Sequence, residues 1–328
     1  MVMSTAPRAS TSSSFQAFAV GLLGMARGRK GASGETNSLS TRDATVSVDT
    51  RSTTRVLLEW SALSSWRQQG SEHLQSGYRP DPETLVACLA SWTYVHNETG
   101  ALIFASLPHT VFNTDAMSRY EAADKIDLFV CSIYFFGVGT CFVLSTTFHT
   151  FMHHSKTTYD FGIKLDYAGI LLLIYTSTFP LILYTFPCRM YLQALYIAVI
   201  TSLAGGCMLA TFHPSIGGPH LGHVRAFLFG SVGLASFLIP ILHGILAAGL
   251  EEQSARVGLC WIWLTVLCNG LGVVAYAFKF PETWYPRRFD IVGASHQIMH
   301  TMVVFAALAY TKAVLVAFDY RHSHHPIC

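Results

Sequence analysis

Six long apolar runs, at about 127–151, 166–186, 190–212, 226–250, 257–280 and 294–318, constrain this chain more than any other feature of it. Each exceeds the ~18–20 residues that a helix needs to cross the hydrocarbon of a bilayer. In lipid the backbone must satisfy its own polar groups, so runs of this length fold as helices and pack into a bundle. Pro180, Pro240, Gly205 and Gly206 fall inside the runs, where a membrane helix tolerates them better than a soluble one. Composition agrees. Of 328 residues, 51% are hydrophobic and 12% charged, against roughly 25% charged in soluble domains. A net charge of +2 supplies no basic face for nucleic acid. The expected fold class is all-α, a multi-pass transmembrane helix bundle.

A seventh candidate span, at about 100–116, is short and interrupted by Pro108 and His109. With it, the bundle occupies about 100–318. Residues 1–55 are rich in Ser, Thr, Arg and Gly and are expected to be a disordered tail. No acidic residue precedes Glu35, and the apolar stretch Phe15–Met25 is followed by Arg27, Arg29 and Lys30. That pattern is compatible with a transit peptide, although a plain cytosolic tail is the favoured reading. Residues 56–99 read as an amphipathic juxtamembrane segment, with Leu57, Leu58, Trp60 and Leu63 at helical spacing. Trp66, Tyr78, Trp92 and Tyr94 in that segment suit a membrane interface. Residues 319–328 form a polar C-terminal tail. The eight cysteines show no CxxC pairing and read as small apolar packing residues, not as a disulfide framework.

The short loops carry an orientation signal. Lys156, Lys164, Arg225, Lys279, Arg287 and Arg288 lie on one side, and Arg119, Lys125, Arg189 and Arg256 on the other. The positive-inside rule puts the first group in the cytosol. With seven spans the amino terminus is cytosolic too, and the sequon Asn97-Glu98-Thr99 is expected to stay bare.

The same counting gathers the ionisable residues. The first strong span ends in Ser145-Thr146-Thr147-Phe148-His149, the second begins Lys164-Leu165-Asp166-Tyr167, and the last begins Ser295-His296-Gln297-Ile298-Met299-His300. The end of one span and the start of the next share a side, and four crossings later the chain is back on that side. His149, Asp166, His296 and His300 therefore lie on one membrane face, whatever the doubtful segment does. His296 and His300, like Ser145 and His149, are i and i+4 and share a helix face. Ionisable groups inside spans are costly and normally face the bundle interior. Three imidazoles with a carboxylate beside them suit Zn²⁺, which in catalytic sites keeps three protein ligands and an open position. Each residue alone has a plainer reading: HxxxH as an ordinary helix pair, Asp166 as an N-cap. The joint topology favours a metal. His153 and His154 are expected in solvated loop. His243, mid-span, is expected to make an interhelical hydrogen bond. His322, His324 and His325 sit in the tail with no helix to organise them, and His213, His220 and His223 flank a Pro/Gly-rich loop.

At these residues the chain resembles the adiponectin and progestin receptor family, also called haemolysin-III-related, with its fungal branch the nearest match. The stretches are STTFHTFMHHS at 145–155, KLDYAGILLL at 164–173 and PETWYPRRFDIVGASHQIMH at 281–300, with LLEWSALSSW at 57–66 and HNETG at 96–100 as weaker ones. The resemblance covers about 57–318. It implies seven helices with a cytosolic amino terminus and a zinc near the cytosolic face. His149, His296 and His300 would be its ligands, Asp166 would polarise its water, and Ser145 would support His149. Animal relatives are hormone receptors whose site resembles that of alkaline ceramidases. Fungal relatives are linked to zinc and sterol homeostasis and to sensing of a plant defence protein. After HNETG the chain departs from the family pattern, reading ALIFASLPHTVF, so the first helix is expected to be short or defective.

Two functional classes follow. The leading expectation is zinc-dependent hydrolysis of a ceramide-like lipid amide, with Asp166 and Ser145 catalytic, in the service of lipid and zinc homeostasis signalling. The alternative is a non-catalytic receptor or sensor whose zinc is structural. A transporter is disfavoured, since no internal repeat or paired broken helices are present. The expected surroundings are membrane lipid in the plasma membrane or an endomembrane, with a lipid or protein ligand and a possible homo-oligomer.

Overall fold

The computed structural model describes residues 57–68, 72–82, 84–101, 123–213 and 222–324. The expected tail and its basic apolar stretch lie outside these residues, as do His220, His325 and most of the doubtful span. Among the described residues six helices are long and apolar enough to cross a membrane. In chain order the helices are α1 (Leu85–Ala90), α2 (Lys125–Phe151), α3 (Lys156–Thr185), α4 (Met190–Phe212), α5 (Gly222–Ala248), α6 (Leu250–Val257), α7 (Leu259–Phe278) and α8 (Ser295–His324). The protein is an integral, multi-pass, all-α membrane bundle, with α2, α3, α4, α5, α7 and α8 as its spans.

Local chemistry sets the helix ends. Asp124 caps α2 through the N–H groups of Ile126 and Asp127, and Asp127 answers at the Asp124 N–H, completing a capping box. Ser155 caps α3 by accepting from Thr158 N–H, so the helix begins about ten residues ahead of the apolar run that marks it in sequence. Asp166 therefore sits inside α3 and is no N-cap. Helix α8 opens on Glu282, which is buried; its carboxylate accepts from Ser295 N–H at 2.8 Å and from Ser295 Oγ at 2.5 Å. An anion there complements the helix dipole. Helix α8 runs on to His324, past the point where the sequence predicts a polar tail.

Helix α3 is the hub, touching α2, α4, α5, α6 and α8, while α7 packs along α8. Close approach of α2 and α3 depends on glycine. A Cβ on Gly137 would meet Thr176 Cβ at 2.7 Å, and one on Gly169 would meet Cys141 Cα at 3.1 Å. Across the middle, Tyr134 donates to Ala307 O at 3.1 Å, and Tyr310 donates to Ser177 O at 2.5 Å, one turn ahead of Pro180. His243 pairs with Tyr196 between α5 and α4 at 2.9 Å, as expected. Gly205 and Gly206 meet nothing within 4 Å. Cys88, Cys131, Cys141, Cys207, Cys260 and Cys268 are free, but Cys188, in the turn after α3, is disulfide-bonded, against the expectation that all eight only pack.

The juxtamembrane segment also differs from its sequence reading. Residues 57–63 form no α-helix: Leu58 pairs with Tyr78 in an isolated antiparallel bridge, and Trp60–Ala62 is a single 3₁₀ turn. Bridging the two stretches needs extended backbone, which overrides the apolar spacing. Tyr78 is buried instead of facing a membrane interface. Leu85, Val86, Leu89, Trp92 and Val95 do stay exposed.

Candidate metal centre

His149 lies in the last turn of α2, and His296 and His300 in the first turns of α8. Their Nε2 atoms form a triangle of 3.3 Å (His149–His296), 3.1 Å (His149–His300) and 3.1 Å (His296–His300). Three imidazole nitrogens cannot all hydrogen-bond one another in such a triangle. Tetrahedral ligands about 2.0–2.1 Å from a zinc ion stand roughly 3.3 Å apart, so the spacing is that of donors sharing one cation. His149 and His300 are buried and His296 half-buried. The predicted trio is thus brought together, and it can hold a metal ion.

The other predicted site residues are nearby. Asp166, buried in α3, is within electrostatic reach of His149, Glu98 and Ser145. Ser145 is buried one turn before His149, and its Oγ reaches no hydrogen-bond partner. A buried hydroxyl beside the Asp166 carboxylate suits a site that receives a polar guest.

Two further residues hold the trio in place, and the sequence reading missed both. Glu98 Oε2 accepts from His149 Nδ1 at 2.7 Å. That bond puts the proton on Nδ1 and turns the bare Nε2 inward, the usual arrangement behind a metal-binding histidine. Burial alone would raise the Glu98 pKa, but the His149 hydrogen bond and the neighbouring histidines prevail and hold it well below the usual carboxylate range. Arg79 donates to His149 O at 2.7 Å, Thr150 O at 3.3 Å, Ser91 Oγ at 2.7 Å and His153 Nδ1 at 2.7 Å. His153 is therefore buried, not solvated, and burial followed by the Arg79 charge pushes its pKa well down. The sequon is buried as well: Asn97 is 7% exposed and its carbonyl accepts from Gln297 Nε2 at 2.8 Å. The available sequence signal for Glu98 was its place at the mouth of the doubtful span, on the histidine side.

At the opposite end, His322 and His324 lie on α8 and not in a loose tail. Buried Asp127 accepts from Tyr184 Oη at 2.9 Å, Arg321 Nη1 at 2.5 Å and His322 Nε2 at 2.8 Å. No third metal-ligand group converges there among the described residues.

The haemolysin-III-related family profile matches residues 92–311, the stretch that carries all three histidines, Asp166 and Glu98. The chain belongs to the haemolysin-III-related family. It is 28% identical over 274 residues to the ADIPOR-like receptor IZH2 of Saccharomyces cerevisiae, covering 82% of this chain and 86% of that one. It is 33% identical over 274 residues to the Adiponectin receptor protein of Drosophila melanogaster, covering 79% of this chain and 59% of that one. Heptahelical transmembrane protein 4 of Arabidopsis thaliana is 36% identical over 185 residues, 56% of this chain and 48% of that one. The chain thus spans most of the yeast relative but less than two thirds of the fly and plant ones. Similarity runs across fungi, animals and plants, so membership holds at the level of the family and not of its fungal branch.

Proposed function

We propose that this receptor-like membrane protein is a sensor of a lipid or protein ligand in which zinc, held by His149, His296 and His300, ties the end of α2 to the start of α8. The observation that carries this reading is the Nε2 triangle of 3.1–3.3 Å. The names of the yeast and fly relatives, which mark them as receptors, agree with it. A ligand that favours one packing of α2 against α8 would shift the balance between two arrangements of the bundle. The Lys/Arg bias of the loops supports a cytosolic position for the zinc end. The test is zinc content and thermal stability of the detergent-purified protein. Stoichiometric zinc is expected, lost in His300→Ala together with stability; a metal-free chain with unchanged stability rejects the site.

A second reading, hydrolysis of a ceramide-like lipid amide, is favoured by Ser145 Oγ and Asp166, two buried groups that a purely structural zinc does not require. A zinc held by His149, His296 and His300 would supply Lewis-acid polarisation of a carbonyl and activation of water. Asp166 takes the proton from the attacking water and delivers it to the leaving amine. Ser145 donates to the developing oxyanion. Fatty-acid release from ceramide that disappears in Asp166→Asn with zinc retained supports this reading. Zinc-loaded protein with no release leaves the sensor.

A further inference from the structure

Residues 97 and 98 join the two helices that supply the histidines. Asn97 O accepts from Gln297 on α8, next to His296, and Glu98 holds Nδ1 of His149 on α2. The backbone of this joint is tied down in turn, with Asn97 N–H on Gly77 O at 2.9 Å. Gly100 permits a close approach to Gln297, since a Cβ there would stand 2.8 Å from Gln297 Cδ. Two residues beyond Gly77, Arg79 holds the carbonyl of the same His149. His149 is therefore gripped at its ring and at its backbone by one segment, residues 72–101, which lies outside the six spans.

We propose that Glu98 is a positioning residue for the metal centre, and that it makes metal binding and docking of residues 72–101 a single equilibrium. With the segment docked, Glu98 fixes the His149 ring and its tautomer, and Nε2 faces the other two histidines. With the segment released, His149 loses both its ring partner and the arginine on its carbonyl, and the triangle has no fixed third corner. Binding of metal to the docked form alone must then stabilise docking by mass action. This rests on the proposed metal site but not on hydrolysis.

The test uses the full chain in detergent and zinc alone, with two readouts. Affinity is measured against a competing chelator, and amide hydrogen exchange is followed over residues 84–101. Outer-shell partners of metal-binding histidines contribute about 10–100-fold in affinity, and a loss in that range is expected for Glu98→Gln. Zinc is expected to slow exchange over 84–101 in the unaltered protein and to do so far less in Glu98→Gln. Glu98→Ala should behave alike; if it fails to fold, the isosteric Gln variant decides. Thr93→Ala, at an exposed position of the same segment, should match the unaltered protein, and an equal loss there overturns the assignment. Unchanged affinity and protection in Glu98→Gln overturn it too, while leaving the metal site standing. No zinc in the unaltered chain overturns both.

Discussion

Arg79 donates to the carbonyls of His149 and Thr150, in the last turn of α2, where helix geometry leaves acceptors unfilled. Removing it strands those carbonyls, Ser91 and His153 together in a buried place. Arg79→Ala is expected to cost on the order of 3 kcal/mol or more, read as a fall in unfolding temperature. Arg79→Lys should recover little of this, because a point charge cannot reproduce the planar fork. His96 is buried too, and burial, then the Arg79 charge, lowers its pKa from 6.5 to about 4. Its folded value lies below its unfolded one, as does that of His153. The unfolded segment therefore binds protons that the docked one refuses. Docking is fully supported above about pH 6.5 and weakens as pH falls toward 4. The protection of amides over 84–101, taken relative to their intrinsic exchange rate at each pH, should fall across that window. The histidine trio was legible in the sequence because crossing counts and i, i+4 spacing need no side-chain contacts. Glu98 and Arg79 were not, since their roles depend on how a segment of mixed polarity folds back 50 to 70 residues along the chain.

The helices follow their apolar runs closely for α4 and α7 and less so for α3, whose start is set by the Ser155 cap, and for α8, which continues past its run to His324. Loops that look solvated in sequence can be buried by neighbouring elements, which is how His153 escaped notice. The contact between α2 and α3 is a clear test of packing. Gly137→Val should destabilise by about 1–3 kcal/mol, because Thr176 has no room to withdraw. Gly139→Ala, with nothing within 4 Å of its Cβ, is the control and should unfold with the unaltered protein. At the far end, Asp127 joins α2, α3 and α8 through Tyr184, Arg321 and His322. Asp127→Leu leaves Arg321 with Asp124 alone and takes the acceptor from Tyr184 and His322, and is expected to cost about 1–3 kcal/mol, in the same unfolding measurement.

The molecule as a whole has an apolar middle fastened by a polar cluster at each end. On the proposed function the histidine end is the adjustable one, since an ion held there would make its stability depend on ion concentration. Free zinc at about 1,000 times Kd should add about 4 kcal/mol. Chelation should lower the unfolding temperature of the unaltered protein and leave His300→Ala where it was. Differential scanning with and without chelator separates the two. The six-span architecture was plain from the sequence, because hydrocarbon thickness imposes helix length directly.

The placement of the ligands also bears on how the protein is made. His149 leaves the ribosome 147 residues ahead of His296, after Glu98 and Arg79 but four spans before its partners. Until residue 296 is added the growing chain holds at most one histidine of the three. Ion capture at the proposed centre would therefore be confined to chains translated into their last helix, and a product truncated ahead of residue 295 would keep the arginine and glutamate but lack two of the three histidines. Loading of an ion there would be, in effect, a mark of completed manufacture.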